Sequence, residues 1–210
     1  MVNRMHQIGD GDMLYSDYAG QCVVMCDEKF QKVRSFGKRM LKYPKGLTLN
    51  KETRTLYVAD YDAHCVYTFN VDDGRMLGKI GLKGSKEGGI KGLQDVTLTK
   101  EGHVIVAEFE NDRIQTCDAN HKFMRILVDR GQGDGKVFCP CGVAIDMDEN
   151  IIISSNDKLQ LFGKNSVFIK RIDHEDDGLD TPVGIAIISN RPRRVAVANY
   201  GANNIKIFNY

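Results

Sequence analysis

The residues of this chain with the types needed for catalysis or metal binding are five histidines, six cysteines and a few acidic or glycine-rich runs. Asp146-x-Asp148-x-Asn150 resembles the opening of a calcium loop, whose alternating oxygens converge on one hard cation. The sixth position of such a loop needs glycine and here is Ile151, and the twelfth is Asp157 instead of glutamate. The segment therefore reads as a hairpin turn. Gly131-x-Gly133-x-Gly135-Lys136 has the glycines of a phosphate cradle without its spacing, its Ser or Thr, or a following helix. Cys139-Pro-Cys141 has no partner pair of Cys or His at zinc distance. His6, His64, His103, His121 and His174 do not converge by any regular spacing, and no Gly-x-Ser-x-Gly elbow is present. The expectation from these residues is no catalytic group, no metal and no cofactor.

Recognition chemistry is written more clearly. Asp17-Tyr18, Asp60-Tyr61, Glu108-Phe109 and Asn199-Tyr200 each join a carboxylate or amide to an aromatic ring at matching places. A side-chain acceptor repeated in this way is expected to tie down turn N–H groups. The aromatic residue has two readings. Exposed, it could stack on a base or anchor a peptide; packed against its neighbour, it would stiffen the loop. Gln21, His64, Arg113, Lys158 and Asn203 lie on the same set of loops, with Arg39 and Lys42 on an adjacent short link. The expected binding face is Tyr18, Tyr61, His64, Phe109, Arg113, Lys158, Tyr200, Asn203, Arg39 and Lys42.

These pairs are positioned by a repeat. Leu14–Tyr18, Leu56–Tyr61, Val104–Phe109, Ile151–Asn156 and Val195–Tyr200 align, and Asp17, Asp60, Glu108, Ser155 and Asn199 are 43, 48, 47 and 44 residues apart. Four short strands and their turns occupy about that length. Pro44-x-Gly46, Pro140-x-Gly142 and Pro182-x-Gly184 mark the start of a first strand, since proline cannot donate within a ladder. The third strand (Cys22–Cys26, Cys65–Phe69, Ile114–Cys117, Leu159–Phe162, Ile205–Phe208) alternates apolar with polar residues, the period of a sheet with two different faces. A fourth strand ends near glycine, as in Val33–Gly37 and Leu77–Gly81. No helical periodicity is sustained. The units are predicted at 1–42, 43–89, 90–136, 137–180 and 181–210 of one domain, the last without a fourth strand.

Pro140-Cys-Gly-Val-Ala-Ile-Asp146, Val58-Ala-Asp60, Asn111-Asp-Arg-Ile-Gln115 and Ser35-Phe-Gly37 resemble the NHL repeat, as do the glycine-rich links Gly81–Gly84 and Gly131–Gly135. Leu93-Gln-Asp-Val96 and Ile153-Ser-Ser155 depart from it. The resemblance implies an all-β, NHL-type β-propeller of about five four-stranded blades. Rings in this family commonly have six blades, so the chain is read as part of a longer propeller, with a five-bladed ring closed by an N-terminal strand as the alternative. It also implies a target-binding role in an adaptor or ubiquitin ligase of TRIM-NHL type, with no catalysis by this chain. The runner-up is single-stranded RNA binding for post-transcriptional regulation; the remotest alternative is a metal-dependent propeller lyase or lactonase.

Twenty-nine basic against 28 acidic residues leave a net charge near +1, without the basic excess of most nucleic-acid binders. Lys38, Arg39, Lys42, Lys83, Lys86 and Lys91 form a basic sector; Asp173–Asp177 and Asp180 form an acidic one. A face split in this way suits a protein partner better than a polyphosphate. RNA remains the second choice, and DNA and membrane are not expected. With no apolar run near the roughly 20 residues of a membrane span and a polar N-terminus, the expected location is the cytoplasm, with all six cysteines reduced.

Overall fold

The structure, a computed structural model, describes residues 2–8 and 11–210. It is all-β apart from two single-turn 3-10 helices. Sheet one contains β1 (Val2–Ile8), β2 (Asp12–Asp17), β3 (Cys22–Cys26) and β4 (Lys32–Phe36). Sheet two contains β5 (Pro44–Asn50), β6 (Thr55–Asp60), β7 (Cys65–Asn70) and β8 (Met76–Ile80). A short parallel pair follows, β9 (Leu82–Lys83) and β10 (Gly89–Ile90). Sheet three is β11 (Leu93–Leu98), β12 (Val104–Glu108), β13 (Arg113–Cys117) and β14 (Phe123–Val128). Sheet four is β15 (Pro140–Ile145), β16 (Ile151–Ser155), β17 (Lys158–Phe162) and β18 (Phe168–Arg171). Sheet five has β19 (Pro182–Asn190), β20 (Arg193–Asn199) and β21 (Asn204–Asn209). Each of these five sheets is a meander in chain order. The chain divides into two compact units, Met1–Val96 and Thr97–Tyr210, the division falling inside β11.

The repeat survives at the level of register. Ala59 pairs with Val66, Ala107 with Ile114 and Ala198 with Ile205 at the same point of their hairpins. The Pro-x-Gly signal proves to be the first residues of the strand followed by a bulge. Pairing slips between Pro44 and Leu47, between Pro140 and Gly142, and between Pro182 and Ile185. Two of the glycines are demanded by close approach. A Cβ on Gly142 would sit 2.7 Å from Ser154 Oγ and collide with the Val183 carbonyl of the next sheet's first strand. One on Gly46 would meet the Asp95 carboxylate and come within 2.5 Å of its Cα.

Each unit has its own core. In the first, Leu14, Val23 and Phe36 of sheet one pack with Leu47, Leu56, Val58 and Phe69 of sheet two. In the second, Ile114 and Val128 pack with Val143, Ile153 and Phe162, while Ile152, Leu159 and Leu161 pack with Ile185, Val195 and Val197. Each large apolar side chain so buried contributes about 1.5–3 kcal/mol.

The third strands fall where the alternation placed them. The alternation in the third strands does not separate a wet face from a dry one. Thr68, Gln115 and Gln160 are all buried, because β7, β13 and β17 are covered on both faces. Gln160 is satisfied locally: its Oε1 accepts the Gly135 N–H at 2.8 Å and its Nε2 donates to the Lys136 carbonyl at 2.8 Å. It thereby fastens the Gly131–Gly135 link. A polar residue on a strand marks exposure only when nothing nearby can bond to it.

The N-terminal segment, the alternative source of a closing strand, instead forms β1, which pairs with β2 inside sheet one. Among the described residues no helix is long and apolar enough to cross a membrane. All six cysteines are free thiols, with Cys22, Cys26, Cys65 and Cys117 buried; burial pushes the Cys65 and Cys117 thiols up to about 11.

Candidate recognition site

The acids that end the second strands are structural. Asp60 is fully buried, and its carboxylate accepts the backbone N–H groups of Lys42 at 2.7 Å, Tyr43 at 3.0 Å and Ala63 at 3.0 Å. Asp17 is held below the usual carboxylate range chiefly by the Gly20 N–H. Asn199 accepts the Asp180 N–H at 2.7 Å and donates to the Gly178 carbonyl at 3.0 Å. Glu108 takes a different partner, the buried guanidinium of Arg113 at 3.0 Å, and also accepts from Asn111 at 2.5 Å. The calcium-like segment is a turn: Asp146 Oδ1 accepts the N–H groups of Asp148 and Asn150, each at 2.9 Å.

The turn tied by Asp60 shapes the site. By fixing the backbone of Lys42 and Tyr43, it places the Tyr43 ring between the two repeat tyrosines. The centroid of Tyr43 lies 4.9 Å from that of Tyr18, tilted by 53°, and 5.9 Å from that of Tyr61, edge-on at 66°. Lys45, at the bulge of β5, holds its ammonium 4.4 Å from the Tyr43 centroid and 5.9 Å from that of Tyr61. All four side chains are half-buried. Gln21 closes the margin by donating to the Lys42 carbonyl at 3.3 Å. Arg39 and Lys42 stand exposed on the same link. The result is an amphipathic patch of three rings beneath one cation, flanked by two more.

The other expected residues do not join this patch. His64 accepts the Gly92 N–H on Nδ1 at 3.0 Å. Phe109 opens a 3-10 turn, Phe109–Asn111, and is half-buried. Arg113, expected on the binding face, is buried and bound to Glu108. Lys158 is engaged with the Gln132 carbonyl at 2.6 Å and with Asp134. Tyr200 is exposed at sheet five, and the nearby Asn203 is exposed in a left-handed conformation. Tyr43 and Lys45 were not legible as site residues, since neither recurs in the other repeats; the signal was their position beside Pro44, one link after Tyr18.

The acidic sector is smaller than the composition implies. Asp173 is buried, accepts the Leu159 N–H at 2.7 Å and pairs with Arg171 at 2.6 Å, and Asp177 caps the His174 N–H at 2.7 Å. Elsewhere in the second unit, a cavity of about 240 Å³ is lined by His103, Ile105, Met124 and Ile151. At its rim Lys164 bridges Glu101, at 2.8 Å, and Glu149.

No family model matches the chain, and no curated protein matches it in sequence. Among solved structures it is similar to a catalytically inactive virginiamycin B lyase from Staphylococcus aureus, solved with quinupristin. The TM-score is 0.70 at 13% identity, over 99% of this chain and 69% of that one. The fold is a β-propeller with five blades, the expected fold class; membership of the NHL family is not established by these comparisons. The expectation that a chain of this pattern performs no catalysis is corrected by the same finding. A structure matching the fold over nearly the whole chain is that of a lyase, so a propeller pattern without familiar catalytic motifs does not exclude an enzyme.

Proposed function

We propose that this chain recognises a protein partner through the Tyr18–Tyr43–Tyr61 cluster and Lys45. The observation that carries the reading is the ring geometry. Interplanar angles of 53° and 66° present ring edges and hydroxyls at different inclinations, as a peptide anchor requires. They do not form a set of parallel platforms on which successive bases could stack. Lys45 already covers the Tyr43 ring, and a base stacking there would have to displace it. Lys42, Arg39 and Lys38 are exposed nearby and favour a partner segment carrying carboxylates. The resemblance to NHL repeats supports placing such recognition in a TRIM-NHL-type adaptor or ubiquitin ligase. Recognition and catalysis are compatible in this fold, as the lyase solved with quinupristin illustrates.

The test is a photo-crosslinking amino acid in place of Tyr61, in otherwise unaltered protein and in a Lys45→Glu variant, exposed to cell extract. Adducts that protease removes, that survive nuclease and that Lys45→Glu weakens support protein recognition. Adducts destroyed by nuclease would replace that reading with RNA binding, and polarisation against random single-stranded RNAs would then define the motif. An absence of adducts from folded protein overturns the site.

A further inference from the structure

The core between sheets three and four stops short of one edge of those sheets. Ile105 and Ile151 belong to that core, with Leu127 and Ile145 packed against it. The same four side chains line the cavity of about 240 Å³ in the second unit. The cause lies in one pair of residues. Three positions before the residue that ends each second strand (Asp17, Asp60, Glu108 and Ser155), an apolar side chain sits opposite a residue of the third strand. The pairs are Leu14 with Met25, Tyr57 with Thr68, Ile105 with Thr116 and Ile152 with Leu161. Directly opposed residues share a face of the sheet, so each pair adds its combined bulk to one seam. Sheet three has the smallest pair. In sheet one the long Met25 packs against the core; in sheet three the short Thr116 lines the cavity instead.

The polar groups around the cavity are few. Thr99 Oγ1 accepts the His103 N–H at 3.1 Å, which leaves its hydroxyl proton to donate elsewhere. The half-buried His103 ring lines the cavity, and among the described residues no hydrogen bond ties it down. At the rim the charges are already balanced. Lys164 lies between Glu101, at 2.8 Å, and Glu149. Arg125 donates to the Asn165 carbonyl at 3.5 Å and to the Ser166 hydroxyl at 3.2 Å. Two cations therefore meet two carboxylates. A carboxylate entering here would face Glu101 and Glu149, and an ammonium would face Lys164 and Arg125. Neither sign of charge is favoured.

We propose that this cavity is a binding site for a small uncharged aromatic molecule of phenol size, carrying one hydroxyl group. About 150 Å³ of apolar space is enough for benzene, so a cavity of about 240 Å³ takes one substituted ring. The ring lies against Ile105, Leu127, Ile145 and Ile151, and its hydroxyl reaches His103 and Thr99. Apolar walls with a small number of placed polar groups are the usual make-up of small-molecule sites. This site rests on no part of the reading given to the tyrosine cluster.

The probes are 4-fluorophenol, 4-fluorobenzoate and 4-fluorobenzylamine, which at neutral pH are uncharged, anionic and cationic at closely similar size. Their fluorine line widths are followed by NMR as the whole protein is added. 4-Fluorophenol should broaden saturably and bind about ten-fold or more tighter than either charged probe, since burying an unpaired charge is costly. It should shift the methyl signals of Ile105, Ile145 and Ile151 but not that of Ile152, which packs in a different core. Thr116→Met restores the bulk that sheet one has at this place. It should weaken binding about ten-fold or more while keeping or raising the melting temperature. His103→Phe keeps a ring and removes its polar atoms, and should weaken 4-fluorophenol about three-fold or more while leaving fluorobenzene unchanged. No saturable binding of 4-fluorophenol to folded protein, or equal binding to folded Thr116→Met, overturns the proposal. Methyl shifts confined to other residues overturn it as well. Tighter binding of the anion or the cation would assign the site to that charge and would also overturn it.

Discussion

Replacing Asp60 with alanine removes the shared acceptor of three backbone N–H groups, those of Lys42, Tyr43 and Ala63. Leaving part-buried donors without a partner costs about 1–3 kcal/mol each when water cannot replace the acceptor. Asp60→Ala should therefore lower unfolding free energy by about 3 kcal/mol or more in urea titration, and disperse the tyrosine cluster with it. Tyr61→Ala, at a half-buried ring, should cost about 1 kcal/mol, which separates loss of the site from loss of the fold. His6 makes a pH-dependent counterpart. Burial first, then the charges of Lys51 and Arg4, lower its pKa below the ordinary 6.5. The unfolded imidazole consequently binds a proton more readily than the folded one. The stabilisation is present above pH 6.5 and is lost as pH falls through the depressed folded value. Melting temperature should drop between pH 7.5 and pH 5.5, and His6→Gln should flatten that drop. The exposed Glu101, held down to about 2 mainly by Lys164, titrates well below this window. An unchanged slope in His6→Gln would show that other groups carry the dependence.

At the scale of strands and sheets, glycine placement is the sharpest constraint. Gly142→Val puts branched carbons against the Val183 carbonyl and the Ser154 hydroxyl, which itself donates to Val183 at 3.0 Å. Overpacking of this kind costs about 1–3 kcal/mol. The midpoint of urea unfolding should fall accordingly, while crosslinking at the tyrosine cluster should be unchanged. This part of the fold was legible in the sequence because Pro-x-Gly recurs at three strand starts, and proline and glycine act through the local backbone alone. The second strands were legible for the same reason: a short apolar run ending in an acceptor forms its hydrogen bonds within its own hairpin. The third strands were legible in place but not in burial, because Gln115 and Gln160 are buried by residues distant in sequence, and residue type alone does not report a partner 25 residues away. Arg113 was misplaced similarly. Its charge suggested exposure, but five residues earlier Glu108 provides a buried counter-charge. Of the candidate site, Tyr18 and Tyr61 were readable from repetition, whereas Tyr43 and Lys45 required knowing that the Asp60 turn folds the link between them.

At the scale of the whole chain, stability should be uneven, and sheet five is where it should be lowest. The second strands β12 and β16 are buried along their whole length, because their sheets are covered on both faces. β20 alternates buried and part-exposed residues, the pattern of a sheet covered on one face only. β21 is exposed at Ile205 and Ile207 and unpaired on its far side among the described residues. Local opening requires little apolar surface to be uncovered where little is covered, so such a segment exchanges its amides through small fluctuations. Hydrogen exchange followed by mass spectrometry should find peptides spanning 204–209 exchanging well before those spanning 65–70, 113–117 and 158–162. Equal protection of all four third strands in the free protein would mean that β21 is already covered in solution. Light scattering would then show whether a second copy covers it, as a mass above the monomer.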